Sequence, residues 1–175
     1  MLTDEYDVTD LAGRDDVPLP EESGRTFAEN AALKAISASN YVPGWIVADD
    51  SGLEVDALHG APGVYSARYA GAKASDEANV SKLLRDLGHT AQRAARFTCV
   101  LVLARAGRLV AEFTGSIERR IAGEPRGSGG FGYDPVFIPI GYEQTFAEIP
   151  AETKNALSHR ARAVAQLRAF LRSAA

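Results

Sequence analysis

The run from Phe97 to Ala104 is almost continuously apolar and reads as a buried strand. Ala106-Gly107 supplies the turn into a second strand, Leu109 to Phe113. This hairpin constrains the chain more than any other local feature, because a hairpin forces antiparallel pairing and excludes a purely parallel sheet. Helical patterns lie on either side of it. Thr26-Phe27-Ala28-Glu29 has capping-box spacing and predicts a helix from Thr26 to about Asn40, with Asn30 and Lys34 sharing one face. Ser75-Asp76-Glu77 predicts a second helix to about Leu87, with Val80, Leu83, Leu84 and Leu87 inward and Gly88 as its stop. A last helix is expected from about Asn155, with Leu157, Ala161, Val164, Leu167 and Leu171 on one face. The fold class is therefore mixed α/β.

The chain has 175 residues, 46% of them hydrophobic, which excludes global disorder. No linker or internal repeat divides it, so a single domain over residues 1–175 is expected. No apolar run reaches the roughly 20 residues of a membrane-spanning helix. Met1 to Glu5 lacks the basic and apolar regions of a secretory signal, and a cytoplasmic protein is expected. The lone cysteine, Cys99, permits neither an internal disulfide nor a cysteine metal cage and is expected in the core. Nineteen Lys+Arg against 23 Asp+Glu give a net charge of −4. With no basic stripe among aromatics, that balance argues against nucleic-acid binding, so any phosphate recognition must be local.

Three stretches could carry chemistry. Trp45-Ile46-Val47-Ala48 predicts a short buried strand ending in Asp49-Asp50-Ser51-Gly52. Carboxylates at the end of such a strand suit Mg²⁺ binding or activation of a water, and they equally suit a solvated capping turn. Between Gly127 and Pro135, six of nine residues are glycine or aromatic. Glycines let backbone N–H groups approach an anion or a flat ring, and Phe131 and Tyr133 could stack on a nucleobase. Asp134 could take a sugar hydroxyl, a base edge or a backbone donor. A flexible loop with aromatic anchors remains the alternative. Third, Lys154, Ser158, His159 and Arg160 gather donors suited to a carbonyl oxygen or phosphate at the start of the last helix. Two smaller features are a bulge expected at Gly115 and a short strand expected at Val136 to Ile138.

The order and wording of these stretches are specific. Glu21 to Ala31, Ala48 to Leu58, Gly60 to Tyr69, Gly129 to Pro135 and Lys154 to Arg160 together resemble the inosine/xanthosine triphosphatase family of purine nucleoside triphosphate pyrophosphatases. The resemblance covers the chain from about Glu21 to its C-terminus. It implies a two-lobed, mixed-sheet inosine triphosphatase-like fold and a Mg²⁺-dependent homodimer. The reaction it implies is hydrolysis of ITP, dITP and XTP to the monophosphate and pyrophosphate. By motif, Asp50 resembles the general base, and Glu21 and Asp49 would help Asp50 hold Mg²⁺. Ser51 and Lys34 would lie near the phosphates. Phe131 would stack on the base, with Gly132, Tyr133 and Asp134 completing that wall, and Lys154, His159 and Arg160 would read the base edge.

The chain departs from the family pattern at its start. The family's initial strand and Thr/Ser-x-Asn-x-x-Lys loop are absent from these 175 residues, and Asp7 to Leu11 looks like the strand that follows them. An N-terminally truncated fold is thus implied, either because translation starts upstream of Met1 or because the protein is shortened. The first is expected, since every remaining motif is intact. Two other functions stay open: a catalytically impaired purine-nucleotide-binding dimer, and a pyrophosphatase for other modified nucleotides.

Overall fold

The computed structural model describes residues 5–174; residues 1–4, on which the reading of the start falls, lie outside it. Element order is α1 (Phe27–Ser39), β1 (Ile46–Val55), α2 (Asp76–Leu87), β2 (Ala94–Arg105), β3 (Arg108–Ile121), β4 (Phe137–Pro139), α3 (Ala151–Leu157) and α4 (His159–Ala174). The four strands form one sheet in the order β1-β2-β3-β4, with β4 antiparallel to β3. The mixed α/β class holds. No described helix is long and apolar enough to cross a membrane.

Local chemistry explains the ends of these elements. Thr26 accepts the Glu29 N–H at 3.1 Å while the Glu29 carboxylate accepts the Thr26 N–H at 3.2 Å, which completes the capping box of α1. Ser75 caps α2 through the Ala78 N–H, and Gly88, at φ +54°, stops it. The β2–β3 turn is made by Ala106 and Gly107, both at positive φ, the conformation a two-residue hairpin requires.

Contacts within the chain divide it into two compact units. One contains the described residues up to Asp50, Cys99–Gly115 and Arg160 onward; the other contains Ser51–Thr98 and Ser116–His159. In the first, Cys99, Leu101 and Leu103 alternate along β2 and bury one face against Phe113, Ala163 and Leu167. The second has a larger core, with Leu53 and Val55 from β1, Val80, Leu83 and Leu87 from α2, and Phe97, Phe137 and Phe146 in ring contact.

Five expectations need correction. β1 does not end at the acidic pair but continues to Val55, because Leu53 and Val55 extend the buried alternation. Nor is its start buried: β1 is an edge strand of the described sheet, and Trp45 and Val47 are exposed. Residues 7–11 form no strand; the Asp10 carboxylate accepts the Ala12 N–H at 3.0 Å and turns the chain instead. β3 runs unbroken through Gly115, where a bulge was expected. The last helix is two helices, divided at Ser158, whose backbone is extended and whose hydroxyl donates to the Asn155 carbonyl at 3.1 Å.

Two predictions follow from this packing. Leu167 is fully buried, so Leu167→Ala should lower unfolding free energy by about 2–5 kcal/mol, measured by urea denaturation. Glu5 pairs with Arg168 and Arg172, whose hydrogen bonds lower its pKa from 4.5 to about 2. A lowered carboxyl pKa means that the folded protein binds this proton more weakly than the unfolded chain does. Its stabilisation is therefore present above pH 4.5 and lost as pH falls toward 2. In Glu5→Gln the urea midpoint should depend less steeply on pH across that window.

Candidate active site

The acidic pair lies in the middle of β1. Successive residues of a strand project to opposite faces, so Asp49 and Asp50 take different partners. Asp50 meets α1: Asn30 donates to its Oδ2 at 3.2 Å and Lys34 to its Oδ1 at 3.2 Å. The i, i+4 spacing of Asn30 and Lys34 brings both donors to one carboxylate. Asp49 meets α4 instead, pairing with Arg160 at 2.7 Å.

Asn30 is completely buried and bridges two segments. Its Oδ1 accepts the Gly24 N–H at 2.8 Å while its Nδ2 holds Asp50. A Cβ at Gly24 would stand 2.6 Å from Asn30 Oδ1, so only glycine permits the approach. Lys34 makes a second ion pair, with Glu22 at 3.0 Å. Burial pushes the Asp50 carboxyl above its ordinary value, while the Lys34 charge and the Asn30 hydrogen bond pull it back. The Lys34 ammonium is in turn raised: burial opposes its charge, but Glu22 and Asp50 outweigh that. The cluster is thus a partly desolvated carboxylate held beside a cation and an amide donor.

This donor set suits a hard, oxygen-ligated cation. Mg²⁺ keeps several waters and is often held by one or two carboxylates together with substrate phosphates. Among the described residues, no group of three or more carboxylate, histidine or cysteine side chains is gathered as a metal cage. Glu22 is the glutamate that reaches Lys34; Glu21, the neighbour singled out from sequence, is exposed. Ser51 follows Asp50 in β1 and is half-buried.

The second cluster lies wholly within the other unit. Phe131 is 66% exposed, at the tip of the glycine-rich loop. Its N–H donates to Asp134 Oδ2 at 2.8 Å, and the Asp134 carboxylate also pairs with Lys154. The Lys154 ammonium lies 4.6 Å from the Phe131 ring centroid and 5.7 Å from that of Phe146. A Cβ at Gly130 would run into Asp134, and one at Gly127 into the Ala147 backbone. Gly129 donates its N–H to the Ala147 carbonyl at 3.1 Å, and Gly132 donates to Asp76 at 2.6 Å. The N–H groups of Gly129, Phe131 and Gly132 therefore bond within the protein. The loop presents an aromatic ring, not a phosphate cradle.

Tyr133 and Asp134 are both buried. The Tyr133 hydroxyl donates to the Ser66 carbonyl at 2.9 Å, and burial drives its pKa up. Asp134 takes a backbone donor, one of the three roles its sequence left open. The His159 ring stacks on Phe97, with centroids 5.0 Å apart. Within their own units, Lys154 lies beside Phe131 and Arg160 pairs with Asp49. Asn30, Glu22 and Asp76 are not singled out by sequence reasoning; only the shared face of Asn30 and Lys34 pointed toward the first of them.

Known proteins resemble this chain over most of its length. The model of the Ham1 family matches residues 1–170. A dITP/XTP pyrophosphatase of Shouchella clausii is 49% identical over 170 residues, 96% of this chain and 86% of that protein. One from Bacillus licheniformis is 48% identical over 168 residues, 95% of this chain and 86% of that protein. The structure of the Staphylococcus aureus Ham1 protein superposes with a TM-score of 0.88 at 44% identity, covering 94% of this chain and 85% of that one. A HAM1 protein from Coxiella burnetii gives a TM-score of 0.85 at 42% identity, covering 90% and 82%. The chain belongs to the Ham1 family.

Proposed function

We propose that this protein is a pyrophosphatase for noncanonical purine nucleoside triphosphates, converting ITP, dITP and XTP to the monophosphate and pyrophosphate. The observation that carries the reading is Asp50, a partly desolvated carboxylate clamped by Asn30 and Lys34, in a chain nearly half identical to proteins named dITP/XTP pyrophosphatase. In this reading the carboxylate cluster serves the phosphates and the aromatic loop serves the base. The substrate is a free nucleotide of the cytoplasmic pool, and the working form is a homodimer.

Asp50 accepts a proton from the water that attacks the α-phosphorus. Burial makes it a stronger base than an ordinary aspartate, and the Lys34 charge works against that rise. Asp50, together with Glu21 from the segment before α1, would hold Mg²⁺. When bound, Mg²⁺ supplies neutralisation of the charge that gathers on the departing pyrophosphate. Lys34, already shared between two carboxylates, adds positive charge on the same side of the reaction.

Phe131 offers its exposed ring to the purine. Lys154, steered by Asp134, donates to the keto oxygen that hypoxanthine and xanthine carry. Adenine has an amino group there, so donor would face donor.

Three outcomes test these roles. Wild-type protein with Mg²⁺ should release pyrophosphate from ITP, dITP and XTP, and Asp50→Asn should lower kcat by about 10²–10⁴-fold while the urea midpoint holds. Phe131→Ala should raise KM for ITP by about 10-fold or more with little change in kcat, the size expected from losing a base–aromatic stack. Lys154→Met should narrow the ratio of kcat/KM between ITP and ATP; an unchanged ratio would exclude Lys154 as the reader of the keto oxygen.

A further inference from the structure

We propose that Asp76, on the first turn of α2, is a positioning residue for the base platform, latching the glycine-rich loop through the Gly132 N–H so that Phe131 is held ready to stack. The inference rests on reading Phe131 as the base-stacking ring. It concerns how an exposed ring is kept in one place.

Phe131 extends into solvent from a loop of glycines, the residues with the most backbone freedom to lose on ordering. Gly132 sits at φ +59° and Gly130 at φ +74°, so the peptides on either side of Phe131 adopt conformations that most side chains disfavour. An exposed side chain on such a loop is ordered only if the neighbouring peptides are tied down. Three ties meet there. The Phe131 N–H bonds to Asp134 at 2.8 Å, within the loop itself. The Tyr133 hydroxyl bonds to the Ser66 carbonyl at 2.9 Å. The Gly132 N–H bonds to Asp76 Oδ2 at 2.6 Å, a short, charge-assisted bond reaching across 56 residues of sequence.

The Phe131 N–H is held through Asp134, itself paired with Lys154 on α3, and the Asp76 tie anchors the loop to α2. That helix is itself well fixed. Ser75 caps it, Val80, Leu83 and Leu87 bury its inner face, and the Asn79 side chain accepts from the Ala70 N–H at 2.8 Å and donates to the Ala67 carbonyl at 3.2 Å. Asp76 also borders a cavity of about 350 Å³ that it shares with Val80, Gly130 and Phe131. Without the latch, Gly132 can rotate and the ring can swing over that space. The carboxylate touches neither the Asp50 cluster nor Lys154 among the described contacts, so its effect is confined to the presentation of the ring.

The test compares wild type, Asp76→Ala and Asp76→Asn, with ITP and Mg²⁺ for kinetics and amide hydrogen exchange for the loop. Asp76 is exposed and Ser75 retains the cap, so both variants should fold with unchanged urea midpoints. Asp76→Ala should raise KM for ITP about 10-fold, equivalent to about 1.4 kcal/mol, with kcat within about two-fold of wild type. Inhibition by inorganic pyrophosphate, which has no base to stack, should be unchanged. Asp76→Asn keeps an acceptor oxygen and should bring KM back to within about three-fold of wild type. Exchange at Gly132 should quicken in Asp76→Ala, with or without nucleotide. An unchanged KM, an equal weakening of pyrophosphate inhibition, failure of asparagine to rescue, or unaltered exchange would each overturn the role of Asp76. If wild type itself releases no pyrophosphate from ITP, the pyrophosphatase reading falls and the stacking role of the latch falls with it. The exchange experiment still separates that result from a latch that does not exist.

Discussion

The grip of Asn30 and Lys34 on the Asp50 carboxylate is the interaction around which the first unit is arranged. A carboxylate taken out of water becomes protonated unless a charge and a hydrogen bond hold it ionised, and α1 supplies both from adjacent turns. The same asparagine fixes the loop before α1 through the Gly24 N–H, and the same lysine draws in Glu22. Capping by Thr26 sets where α1 begins, and hence whether residues 30 and 34 reach β1 in the right register. Strand alternation does the rest. Asp49, one residue earlier, turns to Arg160, and two adjacent aspartates acquire different chemistry without any special backbone device.

The second unit solves a different problem, the display of an apolar ring on a surface. Phe131 stays exposed because buried groups beneath it take up the polar atoms of its loop: Asp134 with Lys154, Tyr133 with Ser66, and Ala147 with Gly129. The glycines are required by close approach as much as by torsion, since a Cβ at residue 127 or 130 would meet the Ala147 backbone or the Asp134 carboxylate. The Asp134–Lys154 pair sits under the ring largely removed from water, where removing one partner leaves an uncompensated charge. The Phe131 backbone and the Lys154 ammonium are therefore mechanically linked in this unit, because the Asp134 carboxylate holds both.

Local signals carried much of this in the sequence. The capping box of α1, the Ser75 cap of α2, the Ala106-Gly107 turn and the apolar faces of α2 and β2 depend on neighbours within a few residues, and they are readable. What failed was decided at a distance. The acidic residues at 49 and 50 look like the end of a strand, yet β1 continues because Leu53 and Val55 find a core built from α2, β2 and β4. Ser158 looks like an ordinary helical position, yet its extended backbone divides the last helix. Asp76 and Glu22 carry no motif of their own. Their partners lie 56 and 12 residues away in the chain, a pairing that no periodicity encodes. The wording of the five motifs exposed the family, and the geometry then sorted which of their residues face outward and which support them.

The central claim is that a carboxylate-activated water attacks the α-phosphorus of a deaminated purine triphosphate. Turnover of ITP in H₂¹⁸O, with mass analysis of both products, tests it most directly. Label in the monophosphate, with unlabelled pyrophosphate, is the expected result. Label in the pyrophosphate, or release of inorganic phosphate as the first product, would contradict it.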